Sequence, residues 1–204
     1  MRFQTVKLAT LCTFALFAPH YAFAHVGMHG GAGFTADFAS GATHPLAGLD
    51  HMLAMILTGI LAWQLGGRAL WLVPGSFVIV IAVSGVLGAV GVAMPFVEAG
   101  IALSLVGLGA VVAFGVRLPT VLAMGVVGLF AIFHGYAHGV EMPESAAGLS
   151  YGLGFISTTA LLHRAGISVG AVAHRANAFW AAVVTRAASG AAACVGGMLF
   201  VGVL

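Results

Sequence analysis

Two short segments combine histidine with carboxylate residues inside otherwise apolar sequence. The first reads HPLAGLDH (residues 44–51) and the second reads FHGYAHGVE (residues 133–141). Imidazole nitrogens and carboxylate oxygens both offer lone pairs, and both are costly to bury unpaired in hydrocarbon. They are also the donors that divalent transition metal ions bind. The two segments therefore predict a metal site whose candidate ligands are His44, Asp50, His51, His134, His138 and Glu141.

Helical spacing within the first segment supports this interpretation. Seven residues of α-helix turn through about 700°, so His44 and His51 would project to nearly the same side. Asp50 lies about 100° from His51, which suits either a ligand reached from another helix or a carboxylate that orients an imidazole.

The second segment has the same property on one helix face. There His134, His138 and Glu141 would lie within about 60° of one another. Four histidines and two acids exceed the four ligands of a closed zinc site. The excess indicates an ion that exchanges along a path, and the two segments are expected at the same depth.

The elements that position these residues must lie in a membrane. The 204 residues include seven Lys or Arg and five Asp or Glu, and 61% are hydrophobic. So few charges cannot cover a soluble domain, which excludes a cytosolic enzyme and a nucleic-acid-binding protein. The length allows six or seven helices of about 20 residues with short loops. The predicted fold class is all-α, a polytopic bundle of six transmembrane helices after a cleaved signal peptide.

The N-terminus has the pattern of a secretory signal over residues 1–24. Arg2 and Lys7 precede an apolar run, and Ala22-Phe23-Ala24 suits signal peptidase. Cleavage would leave His25 at the start of a flexible extracytoplasmic arm, residues 25–43. The α-amino group and imidazole of His25, with His29, could capture a divalent ion there, Ni²⁺ or Cu²⁺ by preference. A disordered leader without metal affinity is the equally weighted alternative.

The predicted transmembrane domain is residues 44–204. Its apolar stretches are 44–65, 69–92, 95–116, 119–141, 144–163 and 178–204, and Pro74 is the proline that falls within a span. Glycine or serine pairs at helical spacing predict close helix contact, as at Gly100/Ser104, Gly135/Gly139 and Gly148/Gly152.

Arginine placement predicts the orientation of this domain. With the mature N-terminus outside, the loops 66–68, 116–118 and 164–177 are cytoplasmic and contain Arg68, Arg117, Arg164 and Arg175. Arg186 lies within the last span and receives no role.

The remaining histidines and acids favour ordinary structural roles. His163 is expected to be a hydrogen-bonded core residue or an interfacial one, and His174 a solvated residue of the inner loop. Glu98 and Glu144 could attract cations at the mouth, but each fits equally well as an interfacial residue at a helix start.

At these motifs the chain resembles the HupE/UreJ family of bacterial membrane proteins. The resemblance covers the whole mature chain, and neither motif departs from the family pattern. It implies a permease of the bacterial inner membrane that carries Ni²⁺, or Co²⁺, in support of hydrogenase or urease. It also implies a role for the six candidate ligands in binding or passing the ion. Similar ligands suit Zn²⁺ and Cu²⁺ as well.

Transport without ATP is the predicted mechanism, because the chain contains no Walker motif. The partners would be membrane lipid, the ion and, by the resemblance, hydrogenase or urease maturation proteins. Two alternatives stay open. A zinc-dependent intramembrane hydrolase would use a metal-activated water, although HGYAH lacks the glutamate of HExxH. A membrane metallochaperone would bind nickel without carrying it across.

Overall fold

A computed structural model describes residues 33–142 and 147–202. Within these ranges the chain is helical and contains no strand, which confirms the all-α prediction. A 3₁₀ turn at His44–Leu46 joins the first two helices. The helices are α1 (Phe34–Thr43), α2 (Leu49–Leu65), α3 (Ala69–Ala89), α4 (Val97–Ala113), α5 (Thr120–Val140), α6 (Gly148–Ala176) and α7 (Ala178–Phe200).

Most of these helices have the length and composition of membrane spans. Among the described residues, α3, α5, α6 and residues 182–200 of α7 are each long and apolar enough to cross a membrane. The pair α1 and α2 would make a fifth span if counted as one broken helix, and α4 is an apolar helix of 17 residues. The chain is therefore a multi-pass helical membrane protein.

The first predicted span is broken where a continuous helix from residue 44 was expected. Gly48 has an extended backbone, with φ −100° and ψ 118°, and α2 begins only at Leu49. The helical elements on the two sides of this break are bent by 81°. Glycine is a poor helix former, and Pro45 stands near the start of the 3₁₀ turn, where its missing N–H costs little. His44 and His51 therefore do not share one helix face.

The prediction of an inner loop at residues 164–177 is also wrong, because most of this segment is helical. Helix α6 continues without interruption to Ala176, and its 29 residues would span about 43 Å at 1.5 Å per residue. Arg164, His174 and several glycines give this segment the composition of a loop. Gly166 and Gly170 are nevertheless buried against α2, because their lack of a side chain lets the two helices approach.

The predicted N-terminal arm coincides in part with a helix. Residues 25–32 lie outside the described residues, as does the predicted signal peptide, and residues 34–43 form α1. Helix α1 packs against α6. A Cβ on Gly41 would overlap the Tyr151 carbonyl oxygen, and one on Gly154 would overlap that of Phe38. This part of the chain is therefore closely packed against the bundle.

Close glycine contacts also join the other helix pairs. Helix α3 packs along α5 and α4 along α7, while α6 contacts both α1 and α2. A Cβ on Gly135 or Gly139 would overlap atoms of α3, as the sequence predicts. Gly148 and Gly152 have open space at this position, so the predicted contact there is wrong for the described residues.

The arrangement brings three helix ends together on one side of the bundle. Helices α2 and α6 run in parallel, because a Cβ on Gly59 would contact His163 and one on Gly170 would contact Trp63 further along both helices. Helix α5 runs the opposite way to α2 and ends where α2 begins. The two histidine segments therefore meet at this side.

Candidate metal centre

The outermost part of the candidate site joins the 3₁₀ turn to the end of α5. The Nε2 atom of His44 lies 3.1 Å from Oε2 of Glu141, and Nδ1 of His138 lies 3.9 Å from the same oxygen. One potential ligand atom from each of these three residues lies within 4.8 Å of the other two. This group is the size at which one ion can contact all three donors.

His51 is oriented by the residue before it. Oδ1 of Asp50 accepts a hydrogen bond from the His51 backbone N–H and lies 2.8 Å from Nδ1 of the His51 ring. A carboxylate only accepts, so Nδ1 carries the proton and Nε2 keeps its lone pair. Nε2 of His51 is buried and has no hydrogen-bond partner among the described residues. Asp50 thus takes the orienting role, one of the two that its spacing allowed.

His134 is oriented in the same manner by a serine from α4. The Ser104 hydroxyl lies 2.6 Å from the Ile101 carbonyl oxygen and 2.7 Å from Nε2 of His134. Since the hydroxyl has one proton and the carbonyl only accepts, Ser104 donates to Ile101 and accepts from Nε2–H of His134. Nδ1 of His134 then offers a lone pair, and it too is buried without a hydrogen-bond partner in the described chain.

The four imidazoles form a continuous series, which we call the histidine row: His44, His138, His51 and His134. Successive ring centroids are 4.9, 4.2 and 4.6 Å apart. The side chain of His44 is 23% exposed, whereas His134 is completely buried. The row therefore leads from the protein surface into the bundle interior.

Charge is concentrated at the outer part of the row. The side chain of Glu141 is 58% exposed, and that of Asp50 is 23% exposed. The hydrogen bond with His44 lowers the pKa of the Glu141 carboxyl, although partial burial opposes this shift. Glu141 therefore keeps its negative charge to lower pH than an isolated glutamate. The polar partner of His134 is the neutral Ser104.

The remaining candidates are not part of the row as described. His25, His29 and Glu144 fall outside the described residues, so the N-terminal capture site stays a prediction. Glu98 is exposed in the first turn of α4. Asp37 accepts a hydrogen bond of 3.0 Å from the Ala147 backbone N–H, and it thereby fixes the start of α6 to α1.

The structure corrects the expected role of His163. Its side chain is buried, at 2% exposure, in the middle of α6. Neither ring nitrogen has a hydrogen-bond partner in the described part of the chain. His163 is thus neither a hydrogen-bonded core residue nor an interfacial one.

Sequence reasoning missed Ser104 and Phe77 as neighbours of the row. The Phe77 ring centroid lies 6.2 Å from that of His134. A serine or a phenylalanine in an apolar helix is usually a packing residue. Nothing in the sequence indicates that either of these two lies next to a histidine.

The fold and this site together define the class of protein. It is a multi-pass helical membrane protein in which a row of histidines, with carboxylates at its outer part, leads into the bundle from one side. Comparison with known proteins identifies the family. The model of the family described as "HupE / UreJ protein" matches residues 13–199, and the chain belongs to this family. The chain is 46% identical over 189 residues to "Protein HupE" from Rhizobium leguminosarum bv. viciae, covering 92% of this chain and 94% of the relative. No solved structure matches the chain.

Proposed function

We propose that this protein is a secondary transporter that carries a divalent transition metal ion across the bacterial inner membrane. The proposed ion is Ni²⁺, with Co²⁺ as the alternative. The observation that carries the proposal is the histidine row. Its two halves come from segments more than 80 residues apart in sequence, yet their imidazoles are in contact. Buried imidazoles with free lone pairs are expensive unless a ligand binds them.

The chemistry of the row fits a cation that enters from one side. Glu141 and Asp50 supply negative charge at the outer part, where the ion would arrive with its hydration shell. His44, His138 and Glu141 would replace part of that shell, and the ion would then pass to the lone pairs of His51 and His134. Release becomes easier at His134, because its polar partner Ser104 carries no charge.

The membrane potential would supply the driving force. A divalent ion falls by about 4.6 kcal/mol per 100 mV across an inside-negative membrane, which corresponds to roughly a 2,000-fold concentration ratio. This supports uptake without ATP and without a second coupled ion. Imidazoles bind metal only when neutral, so acidic conditions should inhibit.

Family membership supports the choice of nickel and the cellular setting. The HupE/UreJ resemblance implies nickel supply to hydrogenase or urease, and we propose maturation proteins of those enzymes as partners. The proposed topology has residues 1–24 as a cleaved signal, an arm from residue 25 outside, and six spans in residues 44–204. Because residues 34–43 form α1, we revise this start: the bent pair α1 and α2 together would make the first span, which then begins at residue 34 and shortens the outer arm.

The test is uptake of radiolabelled Ni²⁺ into proteoliposomes that contain the purified protein and have an imposed inside-negative potential. We expect saturable uptake that Co²⁺ inhibits, and we expect its loss in His134→Ala. The matched control is Ser189→Ala, because Ser189 is also completely buried but lies on α7 outside the row, where its hydroxyl donates to the Thr185 carbonyl. Nickel binding without flux would instead indicate a metallochaperone. Turnover of a lipid amide with one tightly held zinc ion would indicate a hydrolase.

A further inference from the structure

A buried imidazole lies beyond the inner end of the histidine row. His163 is 2% exposed, and neither of its nitrogens has a hydrogen-bond partner among the described residues. A buried polar group without a partner costs free energy. An apolar residue of similar size would avoid this cost, so packing alone does not account for a histidine here.

One aromatic ring packs near both His163 and the inner end of the row. Phe77 of α3 is completely buried, and its ring centroid lies 5.0 Å from that of His163 and 6.2 Å from that of His134. The rings of Phe77 and His163 are nearly perpendicular, at 88°. Phenylalanine offers no lone pair to a hydrated or partly dehydrated cation. With its ring near both imidazoles, Phe77 is placed where it could impede transfer of an ion from one to the other.

His163 also lies deeper in the bundle than the row. Its backbone carbonyl faces Gly59 of α2. Gly59 is eight residues beyond His51, about 12 Å further along α2 at 1.5 Å per residue. Still further along α2, Trp63 and Gln64 line a cavity of about 340 Å³ with Arg186 of α7. His163 therefore stands between the row and a polar cavity at the other side of the bundle.

We propose that His163 is a second, inner binding station for the metal ion and that the Phe77 ring is the gate between it and the histidine row. This inference rests on the proposed transport function. Rotation of the ring would let a lone pair of His163 take the ion from His134. Return of the ring would separate the two stations, so that the ion leaves toward the inner cavity.

The station is tested with His163→Leu and His163→Gln in purified full-length protein. We expect both variants to bind Ni²⁺ with a Kd within twofold of the parent, because the row is intact, and to lose uptake into proteoliposomes at least tenfold. Thr159→Val is the matched control, since Thr159 is buried one turn earlier on α6 and bonds the Phe155 carbonyl. It should retain uptake.

The gate is tested with Phe77→Ala in vesicles loaded with Ni²⁺. Removing the ring should join the two stations and raise passive nickel efflux about tenfold. The control is Phe130→Ala, because Phe130 is a half-buried aromatic residue that packs near Gly107 of α4. Its efflux should stay at the parental level. This measurement also decides the inference if neither His163 variant folds.

Two results would overturn the inference. One is parental uptake in both His163 variants, and the other is parental efflux in Phe77→Ala. Either result leaves the transport proposal intact as long as His134→Ala abolishes uptake. Absence of uptake by the parent protein, in contrast, would contradict the transport proposal itself.

Discussion

The outer and inner parts of the histidine row differ in charge while sharing the same ligand type. At the outer part, His44 and His51 each lie beside a carboxylate. At the inner end, the polar partner of His134 is a serine hydroxyl, and His163 beyond Phe77 has no hydrogen-bond partner in the described chain. A carboxylate attracts and holds a divalent cation, whereas neutral donors let it go more readily. The difference suits a path that captures at one side and releases at the other.

Replacing an inner imidazole should have the largest effect. His134→Ala removes the innermost and most deeply buried donor of the row. The loss of Ni²⁺ uptake should therefore exceed the roughly 10- to 100-fold cost that is typical of losing an orienting group behind a ligand. Uptake into proteoliposomes measures this, and uptake above one tenth of the parental rate would contradict the role given to the inner end.

Removing the carboxylate charge that orients His51 should have the second largest effect. Asp50→Asn preserves size but replaces the carboxylate that accepts from the backbone N–H and the ring Nδ1 of His51. Nickel affinity should therefore fall roughly 10- to 100-fold. Equilibrium binding of Ni²⁺ measures this change. Asp37→Asn is the matched control, because Asp37 is hydrogen-bonded to Ala147 and lies outside the row. An equal loss of affinity in both variants would show that Asp50 acts only through net charge.

The serine that orients His134 should have a smaller effect. Ser104→Ala leaves the His134 ring in place but removes its hydrogen bond, so the wrong nitrogen is free to carry the proton. Nickel affinity should fall about tenfold. Ser84→Ala is the control, because Ser84 is equally buried but bonds backbone carbonyls. Equilibrium binding of Ni²⁺ measures the affinity of both variants. Parental affinity in Ser104→Ala would show that Ser104 has no role in the site.

The exposed carboxylate should have the smallest effect. Glu141→Gln at the mouth should weaken nickel binding about two- to fivefold at low salt, because this ligand is more than half exposed and the four imidazoles of the row remain in place. The hydrogen bond with His44 keeps the Glu141 pKa below its usual range. The contribution of its charge should therefore persist through neutral and mildly acidic pH and disappear as the pH falls through that lowered pKa. Binding titrations at several salt concentrations and pH values, with Glu98→Gln as control, check this prediction.

The sequence predicted the helical class of the protein and the ligand types of the two motifs, but not the shape of the elements that carry them. The opposite directions of α2 and α5 are enough to bring His51 next to His134 and His138, whereas the position of His44 also depends on the 3₁₀ turn before Gly48. The break at Gly48 and the extension of α6 depend instead on packing between helices, which one sequence does not display. The environment of His163 also depends on helix packing. The sequence shows a histidine at this position but not whether its ring has a hydrogen-bond partner.

The central claim is that one doubly charged ion contacts donors from both histidine segments. The most direct measurement is anomalous diffraction at the nickel absorption edge from crystals grown with Ni²⁺. The account predicts a peak along the histidine row, within bonding distance of at least one imidazole from residues 44–51 and one from residues 134–138. Nickel bound only elsewhere, or coordinated by one segment alone, would contradict it.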